Sequence, residues 1–168
     1  MNLIQSVKFF LPKLAFGIDA QQSGYKISAV DVLTTELNTL TNNSWSALSS
    51  GIDNESGKYL SADIEVDLAS ITPTGTDAAI EIYLVPSIDG GTSYPNYTGT
   101  GSSDEQENQI YFLGSVPLSL DAEVQNPILR NVDLPPGFFK IGIRNRANVS
   151  LASSGNVVRY RPHNLASA

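Results

Sequence analysis

Along residues 59–68 apolar and polar positions alternate without a break: Leu60, Ala62, Ile64, Val66 and Leu68 share one side, Ser61, Asp63, Glu65 and Asp67 the other. A period of two predicts a half-buried antiparallel strand, because successive side chains of a strand point to opposite faces. The same period returns upstream, where Val30, Val32 and Thr34 alternate with Ala29, Asp31 and Leu33. It returns downstream too: Ile80, Ile82, Leu84, Pro86 and Ile88 point one way, and Tyr83 and Val85 face a second surface. Further short strands are expected near residues 110–113, 116–120, 128–132, 138–144 and 157–161. A Thr/Asn/Ser-rich stretch around the single Trp45 reads as an irregular edge, and Asp53-Asn54-Glu55-Ser56-Gly57 as a turn.

Eight or nine short strands without a long helix predict an all-β fold, an antiparallel β-sandwich of jelly-roll type. At 168 residues the chain suits one domain with its own core. Residues 18–168 are expected to form that sandwich, and residues 1–17 an N-terminal docking arm. Leu3, Ile4, Val7, Phe10, Leu11 and Leu14 recur at helical spacing, although Pro12 would break a helix there. An extended arm pairing with a neighbouring subunit fits equally.

Charge sharpens the division. The net charge is −7, yet no acid precedes Asp19, while Lys8 and Lys13 lie in the arm. An acidic body argues against direct nucleic-acid binding, whose affinity comes from cations neutralising phosphates. No stretch approaches the ~20 apolar residues of a membrane span, so no membrane partner is expected. The arm lacks a basic start and an uninterrupted apolar run, so it does not read as a signal peptide, and synthesis in a host cytoplasm is expected.

The chemistry on offer is sparse. Without cysteine there is no thiolate nucleophile or thiolate metal site, and His163 is the only histidine. Asp63, Glu65 and Asp67 are similar in spacing to the catalytic strand of jelly-roll glucanases and carrageenases, but with the acid types reversed. A solvated strand face accounts for them without catalysis. Asp89, Asp104, Glu105 and Glu107 offer oxygen atoms but no calcium-loop spacing. No catalytic residue, metal or cofactor is therefore expected.

Arg144, Arg146, Arg159 and Arg161 cluster late in the chain. They either pair with this chain's own acids or form a cationic strip for an acidic neighbour. The long loop 89–108, with Tyr94 and Tyr97, suggests a carbohydrate-binding module that stacks sugars on those tyrosines.

Three segments carry a resemblance: GIDNESGKYLSADIEVDL (51–68), YLVPSIDGGTSYPN (83–96) and LPPGFFKIGIRNRANVSLASSGNVVRYRPHN (134–164). Together they resemble small jelly-roll virion structural proteins of tailed bacteriophages, of the capsid decoration or cement type. The positions that carry the likeness include Pro86, Asp89, Gly90, Tyr94, Pro135, Pro136, Gly137, Phe139, Asn145, Gly155 and Asn156. The resemblance implies a non-enzymatic protein on the outer capsid surface that binds the phage major capsid protein and bridges its subunits. It would act as a homo-oligomer, with a trimer as one arrangement. Leu3, Ile4, Val7, Phe9, Phe10 and Leu11, with the four arginines, are the expected contact residues.

Overall fold

The computed structural model describes residues 28–95 and 111–164. Within them the chain forms nine strands and one 3₁₀ turn at Thr35–Leu37. The strands are β1 (Val30–Leu33), β2 (Ile52–Asp53), β3 (Ser61–Ile71), β4 (Ala79–Pro86), β5 (Tyr111–Pro117), β6 (Glu123–Gln125), β7 (Ile128–Asp133), β8 (Phe138–Arg146) and β9 (Val157–His163).

They form two antiparallel sheets packed face to face. The five-stranded sheet runs β1-β9-β3 and ends on β6 and β7, which pair with successive parts of β3; the four-stranded sheet runs β2-β8-β4-β5. The pairing is nested: β4 with β5, β3 with β7, β2 with β8, and β1 with β9. A long hairpin rolled so that successive strand pairs alternate between sheets gives this pattern. It is the winding of a jelly roll.

The period of two explains the packing. Ala62, Ile64, Val66 and Leu68 of β3 are wholly buried and meet Ile80, Ile82 and Leu84 of β4, with Phe139, Ile141 and Ile143 of β8 and Val158 of β9. Each such side chain contributes about 1.5–3 kcal/mol through removal from water. Leu60 lies before β3 begins and stays exposed, and Ile88 lies beyond β4 and is fully exposed. The two strands expected within 110–120 are one, β5, whose register slips opposite Ile82 and Tyr83. That slip places Tyr111 opposite Leu84 and Phe112 opposite Tyr83.

The Trp45 segment behaves as the irregular edge its composition suggested. Ser46 and Ser49 each donate a backbone N–H to β8, to the carbonyls of Ile143 (2.9 Å) and Ile141 (2.8 Å). Their hydroxyls then accept the N–H groups of Ile143 (3.1 Å) and Ile141 (2.9 Å). Two serine side chains thus do what a partner strand's carbonyls would do. The segment is free to bulge, which lays Trp45 on the outer face of the sheet with Tyr83 and Val85.

Buried asparagines fix the ends of the sandwich. Asn145 donates to the carbonyls of Leu40 and Val149, both at 2.8 Å, and accepts from the N–H of Ala147. Asn54 donates to the carbonyls of Tyr59 and Pro135, tying the turn before β3 to the Pro135-Pro136-Gly137 turn before β8. Gly137 takes φ 84°, a conformation that costs glycine little.

Candidate interaction surface

The outer face of the five-stranded sheet carries the acids singled out in the sequence. β3 and β9 pair with Asp63 opposite Arg161 and Glu65 opposite Arg159. Arg159 bonds Asp67 at 2.9 Å and Asp31 at 3.1 Å, with Glu65 3.7 Å away. Arg161 bonds Asp63, which also accepts the backbone N–H of Asn131 (3.1 Å) and faces His163 Nε2 at 3.4 Å. Burial pushes the Asp63 carboxyl up, but the bonds from Arg161, Asn131 and His163 outweigh it and hold the pKa below the ordinary value. The bond to Asp67 raises the Arg159 pKa, despite its partial desolvation, with the charges of Asp67, Asp31 and Glu65 adding to it. The face is a ladder of carboxylates and guanidinium ions that answer one another.

Arg144 and Arg146 project from the outer face of the opposite sheet. Arg144 is buried, its guanidinium 5.4 Å from the centre of the Trp45 ring, and Arg146 Nε lies 4.0 Å from Glu81. The four arginines therefore split two and two between surfaces pointing in opposite directions, and do not make one strip. Alternation along β8 and β9 dictates that split once the strands fall in different sheets.

Of the two tyrosines considered for sugar stacking, Tyr97 lies outside the described residues. Tyr94 is half-buried: Lys140 Nζ sits 4.3 Å from its ring centre, and its hydroxyl occupies the space that a Cβ on Gly51 would need. Burial, with the nearby Asp89 charge, raises its pKa. The turn below it is organised by Asp89, which accepts from the Ser87 hydroxyl (2.7 Å) and the Ser93 N–H (2.8 Å). Those bonds bring the Asp89 pKa down to about 2. Asp104, Glu105, Glu107 and the contact residues Leu3, Ile4, Val7, Phe9, Phe10 and Leu11 of the arm also lie outside the described residues.

A surface without such internal partners runs along one side of the sandwich, where β5 ends one sheet and β6 and β7 end the other. Between β5 and β7 opens a groove of about 570 Å³ lined by Tyr111, Phe112, Leu113, Leu129 and Val132, with Arg130, Asn131 and Asp133 as its polar part. It meets a second groove of about 510 Å³ at Leu134, which continues past Pro136 to Leu60. Tyr111 is 64% and Phe112 56% exposed; Leu120 and Val124 are exposed further along, and Ile128 is exposed next to the charged ladder of Asp63, Glu65, Arg159 and Arg161. Five of the eight exposed large hydrophobic residues in the described chain thus fall within residues 111–128. Adjacent exposed aromatics such as Tyr111 and Phe112 mark a contact site more often than scattered single residues do.

The sequence contained one sign of this surface. Tyr111 and Phe112 are adjacent aromatics in a strand, so one must point away from the core whatever the register. No known family model matches this chain, and no curated protein matches it significantly.

Proposed function

We propose that this chain is a non-enzymatic structural protein of a tailed-phage particle, which decorates the capsid and stabilises it by bridging major capsid subunits. The observation that carries this reading is the contrast between spent chemistry and unspent surface. The carboxylates of β3 are occupied by Arg159 and Arg161, whereas the apolar side along β5, β6 and β7 is open. Such a surface suits adhesion to protein. The segments that resemble phage virion proteins suggest the class of partner, and two of their positions, Asn145 and Gly137, sit at the ends of this chain's sandwich.

A subunit that binds only the assembled shell stabilises it by mass action, and no catalytic group is needed for that. Apolar arm residues and several copies acting together would raise the avidity of each contact. Antibody labelling of purified particles tests the location: label on the shell supports decoration, and label confined to the tail would replace it with a tail- or fibre-associated carbohydrate-binding module. A chain lacking residues 1–14 should keep its fold and lose occupancy on particles; undiminished occupancy would remove the arm from the contact.

A further inference from the structure

We propose that the groove along the free edge of β5 receives residues 3–11 of a neighbouring copy of this same chain. β5 is the last strand of its sheet, so one row of its backbone N–H and C=O groups has no strand beside it among the described residues. Such an edge is a template for an added strand, with side-chain pockets supplying specificity. Here the pocket exists: Tyr111, Leu113 and Leu129 line it beside that edge.

The arm has the matching properties. As an extended segment, residues 3–11 place Leu3, Val7, Phe9 and Leu11 on one face, and Pro12, which cannot donate to a ladder, stops the pairing at a defined point. Charge also matches. Residues 111–135 contain Asp121, Glu123 and Asp133 against Arg130 alone, while residues 1–17 contain Lys8 and Lys13 and no acid.

The topology sets the start of the described chain apart from the groove. The described chain begins at Ser28, just before β1, and β1 is the far edge of the five-stranded sheet from β6 and β7. Three strand spacings, about 14 Å, separate those edges. An arm received from a neighbour in this arrangement would make a head-to-tail contact, which closes into a ring when the rotation permits. The proposal concerns how copies join one another and does not depend on the identity of the larger particle.

The absence of cysteine gives a clean test. Full-length Val7→Cys and Tyr111→Cys chains, mixed and mildly oxidised, should form a disulfide-linked pair at twice the 18.0 kDa chain mass. The yield should exceed that of Val7→Cys mixed with Ile88→Cys by at least about tenfold, because docking raises the effective concentration. Ile88 is a fair control, being fully exposed at the end of β4. By sedimentation the intact chain should be an oligomer, and both removal of residues 1–14 and the Tyr111→Lys substitution should reduce it to a single chain. Equal cross-linking in the two mixtures, a monomeric intact chain, or an oligomer unchanged by both alterations would overturn the proposal. So would a cross-link confined within single chains of a Val7→Cys/Tyr111→Cys double variant. These measurements use no particles, so they fail or succeed separately from the capsid assignment.

Discussion

At one edge of the four-stranded sheet, the hydroxyls of Ser46 and Ser49 complete the hydrogen bonding of β8, and Trp45 folds over Tyr83 with ring centres 4.5 Å apart. At the other edge Phe112 meets the same Tyr83, its ring centre 5.3 Å away, yet more than half of Phe112 remains exposed. One aromatic row therefore runs from a sealed end to an open one. The two edges differ in where their cover comes from. The sequence supplies sixteen residues of loop and edge between Thr35 and Ser50 to close the first, and the described chain places nothing equivalent on the second. Edges of sheets are liabilities that proteins manage, and an edge left apolar is a template for pairing with another chain.

Three experiments probe that contrast. At the sealed end Trp45→Ala should cost about 3–5 kcal/mol, since a wholly buried indole is lost together with its contact to Arg144. Thermal unfolding should fall by roughly ten degrees for a domain of this size. A loss below about 1 kcal/mol would mean that the cover is ornamental to stability, and the two ends would no longer differ.

The charged ladder offers a middle case, closed by its own chain but through ions. A double-mutant cycle on Asp63→Asn and Arg161→Gln should give a coupling of about 0.5–1 kcal/mol, limited by the solvent exposure of Arg161. The sign with pH follows from the lowered Asp63 pKa: the folded state holds the proton less tightly than the unfolded chain does. Its stabilisation is complete above the ordinary carboxylate pKa, near ~3.9, and drains away as pH falls through the lowered folded value. Asp63→Asn should therefore flatten the acid limb of a melting-temperature profile. A profile of unchanged steepness would show that the ladder is not what acid dissolves.

At the open end Phe112→Ser should have the smallest effect on the isolated fold, about 1 kcal/mol or less, because its ring is largely solvated already. Its effect should appear instead in assembly, as a lower oligomer mass at equal concentration. A large loss of stability with unchanged assembly would reverse the assignment of the two ends.

Much of this could be read from residue order. Alternation in 59–68 located β3 and its inward residues from Ala62 to Leu68, though not the exposure of Leu60, and the Asp53-Gly57 turn, the irregular Trp45 edge and the second surface under Tyr83 and Val85 followed from composition and period. Period alone did not see that the register of β5 slips, because a bulge depends on the strand it faces. Nor could it say whether the late arginines would form a strip.

The chain by itself thus determined its strands, its inward faces, its lack of thiol chemistry and the charge contrast between arm and body, since each depends only on residue type and local spacing. The tertiary structure alone decided which strands share a sheet. That decision paired Asp63 with Arg161 and Asp67 with Arg159, sent Arg144 and Arg146 to the opposite face, and brought the edges of β5 and β7 together around one groove of mixed lining. The physical reason is that pairing across a jelly roll joins residues scores of positions apart, and no local pattern records which distant strand will lie alongside.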